Sequence, residues 1–190
     1  MNHLQQERPS GWVSRFAPLV PMGRVLDLAC GGGRHARWMA GLGHAVLAVD
    51  RDGASMAAAA GDRIETLQFD LEAEGAHHHS AWPLQPAAYT GIIVTNYLHR
   101  PLMGALLRSL APGGVLIYET FAEGNGQFGK PSNPDFLLAP GELLSTVCLD
   151  TGLRVIAFED GFVTQPKPAM IQRICACRPI GQAVPDSLAL

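Results

Sequence analysis

Long hydrophobic runs and blocks of positive charge are both absent from this sequence of 190 residues. A membrane-spanning helix needs roughly 18 to 20 consecutive apolar residues, and no stretch of the chain is that long. Lysine and arginine number 14 against 17 acidic residues, which gives a net charge of -3, and they nowhere form a block. We therefore expect no membrane span and no large nucleic-acid-binding surface.

Cysteine is also scarce, at four residues, and no two of them have the Cys-x-x-Cys spacing of a redox or zinc motif. The histidine run His77-His78-His79 cannot turn all its side chains toward one ion from a regular element, which favours a solvated loop. No metal site is expected. The polar N-terminus lacks an apolar segment of signal-peptide length, so we expect reduced thiols and a cytoplasmic protein.

What is present is a globular composition, with 47% hydrophobic and 16% charged residues. The length suits one domain with a sizeable core, so we predict a single unit over residues 1–190. Within it we expect a leading helical segment at 1–22, an α/β core at 24–179 and a loosely ordered tail at 180–190. In the leading segment Trp12 and Phe16 either pack in the core or touch a ligand.

The chain is organised around residues 24–36, which read RVLDLACGGGRHA. An apolar run of strand length meets a glycine cluster and continues into a helical pattern, as in a nucleotide-binding α/β unit. Glycine allows positive φ and close approach of a ligand, while the helix N-terminus offers unpaired N–H donors. The spacing Gly31-x-Gly33-x-x-Ala36 alone would also suit a dinucleotide. Asp27 favours a cationic ligand instead, because a carboxylate beside a pyrophosphate is repulsive.

The order Val-Leu-Asp-Leu-Ala-Cys-Gly-Gly-Gly resembles motif I of the class I S-adenosylmethionine-dependent methyltransferases, in which an acid and small residues precede Gly-x-Gly. The resemblance implies an α/β fold, a Rossmann-like, doubly wound and mostly parallel seven-stranded sheet with an antiparallel last strand. It implies S-adenosyl-L-methionine as cofactor, held in part by Asp27, Ala29, Gly31 and Gly33.

Acidic residues also end the next two predicted strands. Asp50 follows the buried run Ala45–Val49, about twenty residues after the glycines, where a carboxylate can accept hydrogen bonds from both ribose hydroxyls. Arg51 would then lie near the adenine edge. In the resembled family the acid at Asp70 accepts from the adenine amine, and the backbone N–H of Leu71 meets a ring nitrogen.

A fourth buried strand, Gly91–Thr95, ends in Asn96-Tyr97-Leu98-His99, where the resembled family brings cofactor and acceptor together. Asn96 is therefore assigned to the cofactor, and Tyr97 is a candidate for closing the acceptor pocket. His99 has an ordinary pKa near 6.5 that suits a general base, although it could equally cap or pack at the helix that follows. The long loop 122–139, with Phe128, Phe136 and Lys130, is predicted to give acceptor specificity.

The resemblance runs from about residue 24 to 179 and includes the turn Pro112-Gly113-Gly114 and a closing pair of strands joined without a helix. The segment 133–144 is similar to the tellurite-resistance methyltransferases. We therefore predict in-line methyl transfer to a small molecule. Two alternatives stay open: a non-catalytic protein that binds S-adenosylmethionine or S-adenosylhomocysteine, and a dinucleotide-dependent oxidoreductase.

Overall fold

The computed structural model describes residues 8–79, 82–148 and 152–181. Within these ranges the strands are β1 (Arg24–Leu28), β2 (Ala45–Asp50), β3 (Ile64–Gln68), β4 (Tyr89–Thr95), β5 (Leu110–Phe121), β6 (Arg154–Val163) and β7 (Ala169–Cys177). The α-helices are α1 (Gly11–Phe16), α2 (Arg34–Gly41), α3 (Gly53–Met56), α4 (Met103–Ser109) and α5 (Glu142–Cys148). Short 3-10 turns lie at Ala17–Leu19, Ala76–His78, Arg100–Leu102, Asn125–Gln127 and Pro134–Phe136.

All seven strands join one sheet in the order β3-β2-β1-β4-β5-β7-β6. The first five strands pair in parallel, whereas β7 runs antiparallel to both of its neighbours. The predicted doubly wound sheet with an antiparallel last strand is therefore confirmed. Strand order reverses between β1 and β4, and ligands of open α/β sheets bind beyond the strand carboxyl ends at such a point.

The sheet is covered on both faces, as the unbroken apolar runs of its central strands require. One core lies between the sheet and helices α4 and α5, with Leu106, Leu143 and Val147 among its buried side chains. The other lies under α1, α2 and α3 and contains Trp12 and Met39. The alternation of apolar and polar residues over 64–71 predicts a strand near the sheet edge, and β3 lies at that edge.

The predicted leading helix is present and begins at a capped position. The Ser10 hydroxyl accepts a hydrogen bond from the Val13 N–H at 3.0 Å, which satisfies an unpaired donor of the first turn. Trp12 and Phe16 are buried against the sheet, and the Trp12 indole N–H donates to the Ile174 carbonyl at 3.2 Å. Core packing is thus their role in this structure.

Several element ends differ from the sequence prediction. The predicted strand through Leu71 ends at Gln68, because the Asp70 carboxylate accepts from the Glu72 N–H and begins a turn. Strand β5 begins at Leu110, so the predicted Pro-Gly-Gly turn is an irregularity within the strand. A strand is predicted over 153–158, whereas β6 extends to Val163, since pairing with β7 continues there. The last helix is predicted over 141–150, and its end at 149–150 lies outside the described residues. The same holds for residues 1–7 and for the tail at 182–190.

Candidate cofactor and acceptor site

One cavity of about 430 Å³ lies beyond the carboxyl ends of β1, β2, β4 and β5. This volume falls within the range of about 300–1,000 Å³ that small-molecule sites occupy. The residues that line it come from the strand tips and from the loop after β5: Ala29, Val49, Asp50, Arg51, Phe69, Asp70, Leu71, Glu72, Asn96, Tyr97, Leu98, Thr120, Phe121, Pro131 and Phe136. Seven of the eleven site residues predicted from the sequence are among them.

Asp50 ties the glycine turn to the tip of β2. Its Oδ2 accepts from the Gly31 N–H at 2.8 Å, and its Oδ1 accepts from the Asp52 N–H at 2.9 Å. A carboxylate oxygen accepts about two hydrogen bonds, so each oxygen keeps capacity for one further donor. The carboxylate is thus both fixed in orientation and able to accept from two hydroxyl groups in the cavity.

The glycine turn contains two kinds of glycine. Gly31 has a φ of +52°, and a Cβ built there meets no atom within 4 Å, so the turn leaves open space for a ligand. Gly33 has a φ of +73°, and its Cβ would lie 2.3 Å from the Ala59 Cβ. The structure therefore explains Gly33 by packing and by the start of α2, while Gly31 borders the open side of the turn.

Asp27 lies behind the turn and is not among the cavity-lining residues. Its side chain is 1% exposed, and Oδ2 accepts from the Ala36 N–H at 2.8 Å in the first turn of α2. Burial disfavours the charged form and raises the pKa of this carboxyl to about 7. The hydrogen bond holds the helix N-terminus against β1, so direct contact of Asp27 with the cofactor stays a prediction.

Two residues other than glycine adopt the left-handed backbone conformation at neighbouring strand tips. Ala29 has a φ of 54° after β1, and Asn96 has a φ of 56° after β4. The Asn96 N–H donates to the Glu119 carbonyl at 2.9 Å, which holds this conformation beside β5. Such backbone is costly for residues with a side chain and concentrates at functional sites. Both residues line the cavity.

The tip of β3 forms the end of the cavity that the sequence assigns to adenine. Arg51, Phe69, Asp70 and Leu71 all line it. One oxygen of Asp70 accepts from the Glu72 N–H at 3.0 Å, and the other is available to a donor. Phe69, which the sequence analysis did not single out, supplies an apolar surface there.

The two predicted catalytic residues have different positions. Tyr97 lines the cavity, and its carbonyl is fixed by the Tyr118 hydroxyl at 2.8 Å. Burial, followed by the nearby Glu72 carboxylate, raises the pKa of the Tyr97 hydroxyl, which therefore stays protonated at neutral pH. His99 is half-buried and outside the cavity-lining set, where its backbone begins the Arg100–Leu102 turn. Its role as a base stays a prediction.

The loop after β5 contributes to the cavity through different residues from those singled out. Phe136 and Pro131 line the cavity, whereas Phe128 packs against Phe162 with ring centroids 4.9 Å apart. Lys130 is likewise not a lining residue. Thr120 and Phe121 at the tip of β5 complete this end. Both loop aromatics have the same local sequence signal, and only the tertiary fold distinguishes them.

A buried histidine joins the leading helix to the site. His35 is 1% exposed, and its Nε2 accepts from the Ser10 N–H at 3.1 Å. Burial lowers the pKa of the His35 imidazole to about 3, so it is neutral. The ring therefore anchors α1 beside the first turn of α2.

The residues present fit an adenosyl sulfonium cofactor. Open space lies beside Gly31, a fixed carboxylate faces the cavity from Asp50, and Asp70 and Phe69 stand at the far end. No three acidic, histidine or cysteine side chains form a metal-binding group within residues 8–79, 82–148 and 152–181. In the same part of the chain, no helix combines the length and hydropathy needed to cross a membrane.

The sheet order, the reversed last strand and this cavity define the class I S-adenosylmethionine-dependent methyltransferase fold. The profile of the family described as methyltransferase domain matches residues 1–131. The chain therefore belongs to this methyltransferase family, whose cofactor is S-adenosylmethionine.

Among curated proteins, the protein-L-isoaspartate O-methyltransferase of Chlorobaculum tepidum is 36% identical over 98 residues. The match covers 52% of this chain and 45% of that relative, so the chain spans less than half of the relative's length. TehB from Haemophilus influenzae has a TM-score of 0.71 at 18% identity, over 90% of this chain and 62% of that one. A putative methyltransferase from Listeria monocytogenes has a TM-score of 0.65 at 15% identity, over 90% and 99%. These two structures show the shared fold.

Proposed function

We propose that this protein transfers the methyl group of S-adenosylmethionine to a small-molecule acceptor by in-line displacement. One observation carries the proposal. A single cavity of about 430 Å³ joins the adenosine end at Asp50 and Asp70 to the tips of β4 and β5, and residues of the loop after β5 line its second end. A cofactor and a second small molecule would thus meet in one space.

The geometry supports the following assignment of residues to the cofactor. Asp50 accepts from the ribose hydroxyls, and Asp70 with the Leu71 N–H meets the adenine, beside Arg51. Ala29, Gly31 and Gly33 shape the turn, while Asn96 lies at the junction with the acceptor. The cofactor supplies an electrophilic methyl group on a positively charged sulfur. The chain's own contribution is alignment of the two reactants and exclusion of water, which lowers the barrier without covalent catalysis.

Tyr97 is assigned to orienting the acceptor, because it lines the cavity as a protonated phenol. His99 is assigned as the base for acceptors that must lose a proton, next to the lining residue Leu98. Four free cysteines suit a reducing compartment, which supports the cytoplasm as the proposed location.

The small-molecule acceptor is supported by the lining of the cavity by Pro131 and Phe136. The Chlorobaculum relative is named for a protein acceptor, so a protein acceptor is the competing possibility.

Two measurements test the proposal. Thermal unfolding with S-adenosylhomocysteine or NADH separates a methyltransferase from an oxidoreductase, because only a true ligand stabilises the folded state. Incubation with methyl-labelled S-adenosylmethionine and pooled small metabolites, followed by mass spectrometry, then detects the product. Labelling of proteins alone would contradict the proposed acceptor class. Tight S-adenosylhomocysteine binding with no labelled product would favour the non-catalytic alternative.

A further inference from the structure

The acceptor end of the cavity differs in character from the cofactor end. Tyr97, Thr120, Phe121, Pro131 and Phe136 line the acceptor end, and none of them carries a charge at neutral pH. Three of the five are aromatic. The surface offered to an acceptor is therefore largely apolar, and its main polar group is the Tyr97 hydroxyl, which lies beside the Glu72 carboxylate.

The charged residues that line the same cavity are mostly acidic. Asp50, Asp70 and Glu72 carry negative charge, and Arg51 is the one cation among the lining residues. The formal sum is -2, from three acids and one base. S-adenosylmethionine contributes +1 through its sulfonium, since its ammonium and carboxylate cancel. An anionic acceptor would thus enter a cavity of net negative charge, where like charges repel.

Arg100, a cation near the acceptor end, donates four of its five N–H groups to other residues. Its guanidinium binds Glu142 with Nε–Oε1 and Nη2–Oε2 distances of 2.6 and 2.9 Å. It also donates to the Asp135 carbonyl at 2.8 Å and to the Leu137 carbonyl at 2.9 Å. We call this set the Arg100 latch. Because Glu142 pairs with the guanidinium charge and four donors are already engaged, Arg100 attracts an acceptor anion less than a free arginine would.

The Arg100 latch also fixes Phe136. The two carbonyls that it holds belong to the residues immediately before and after Phe136. Glu142 extends the restraint, since its Oε2 accepts from the Ala139 N–H at 2.8 Å. The Phe136 backbone is thus restrained on both sides although its side chain is 50% exposed. A backbone held in advance loses little entropy when a ligand binds to the side chain that it carries.

We propose that the acceptor is an uncharged aromatic compound that packs on Phe136 and Phe121, and that the Arg100 latch positions Phe136 for it. This inference rests on the proposed methyltransferase function. In the transfer, a lone pair on an oxygen, nitrogen or sulfur of the acceptor forms the new bond to the methyl carbon. The methyl–sulfur bond breaks, its electron pair stays on sulfur as a neutral thioether, and the acceptor's proton passes to the proposed base His99.

The test is binding to the protein saturated with S-adenosylhomocysteine, measured by titration calorimetry. The probes are 2-naphthol, its anionic counterpart 2-naphthoate, and the saturated analogue decahydro-2-naphthol. We expect 2-naphthol to bind at least tenfold more tightly than 2-naphthoate, and several-fold more tightly than the saturated alcohol, as aromatic packing requires.

Matched variants locate the effect. F136A should weaken 2-naphthol binding several-fold. F128A removes an equal ring from the same loop, but that ring packs on Phe162, so binding should be unchanged. R100M should reproduce the loss of F136A, R100K should restore part of it, and R100M/F136A should be no weaker than F136A alone. The affinity of all variants for S-adenosylhomocysteine confirms that each is folded.

Equal or tighter binding of 2-naphthoate would overturn the charge argument. Equal losses in F136A and F128A, or additive losses in R100M/F136A, would overturn the assigned roles of Phe136 and the Arg100 latch. If S-adenosylhomocysteine binds but none of the three probes does, the acceptor class is wrong and the proposed function stands. If S-adenosylhomocysteine itself does not bind, the proposed function fails.

Discussion

The sharpest prediction concerns replacement of Asp50 by alanine or asparagine. The carboxylate accepts from the Gly31 and Asp52 N–H groups and presents its remaining lone pairs to the cavity. Alanine removes every one of these acceptors. Asparagine is no conservative substitute, because its NH2 group would face one of the two backbone N–H donors. Both variants should therefore lose affinity for S-adenosylhomocysteine.

The magnitude follows from the number of bonds lost. A hydrogen bond to a charged group contributes about 1.5–3 kcal/mol net. Loss of one ribose contact therefore costs at least about 1.4 kcal/mol, or tenfold in Kd. Loss of both contacts should cost about a hundredfold, and release of the Gly31 N–H adds to this by loosening the turn.

Titration calorimetry of S-adenosylhomocysteine against wild type, D50A, D50N and D52A makes the measurement. Asp52 is the matched control, an aspartate two positions away that caps α3 through the Ala54 and Ser55 N–H groups and does not line the cavity. D52A should lower the melting temperature modestly and leave Kd unchanged. An unchanged Kd in D50A, or an equal loss in D52A, would refute the placement of the ribose at Asp50.

Four further substitutions should separate structural from ligand-binding roles. G33A should destabilise the fold by about 1–3 kcal/mol in denaturant unfolding, because it combines positive φ with a clash on Ala59. G31A should reduce the free energy of S-adenosylhomocysteine binding more than it reduces the free energy of unfolding, since its methyl group enters open space. A larger loss in the free energy of unfolding would contradict this. The folded state raises the pKa of Asp27 from 3.8 to about 7, so its contribution to the free energy of unfolding is complete below pH 4 and is lost as pH rises through 7. D27N should therefore flatten this part of the profile of melting temperature against pH. The folded state lowers the pKa of His35 from 6.5 to about 3, so its contribution to the free energy of unfolding is complete above pH 6.5 and is lost toward pH 3. H35Q should therefore flatten the acid side of the melting-temperature profile. For either residue, a variant profile parallel to that of the wild type would contradict the assignment.

The framework of the site could be predicted from the sequence because its signals are local. An apolar run, a glycine cluster and an acid at the strand tip lie within a few residues of each other, and parallel strands bring successive tips to one edge. Strand ends are predicted in this way at Asp50, Asp70 and Asn96, while the cofactor roles of Asp70 and Asn96 come from the family resemblance. All three residues line the cavity. Strand periodicity likewise placed β3 at the sheet edge.

The acceptor end could not be predicted in the same way, because long-range contacts arrange it. Phe128 and Phe136 occupy the same glycine- and proline-rich loop, and no local pattern distinguishes them. Arg100 reaches Glu142 across 42 positions to hold the segment around Phe136. Phe128 instead meets Phe162 on β6. The choice between the two rings is a property of the packed fold.

Asp27 shows how a correct conclusion can follow from an incomplete mechanism. Its position before the glycines predicts direct repulsion of a pyrophosphate, yet its carboxylate is buried behind the turn. A dinucleotide is held by free N–H groups of the glycine turn and the helix N-terminus. Here Asp50 accepts the Gly31 N–H and Asp27 accepts the Ala36 N–H, each at 2.8 Å. A pyrophosphate would have to displace two carboxylates from the donors it needs. Discrimination against phosphate therefore rests on occupied donors as much as on charge.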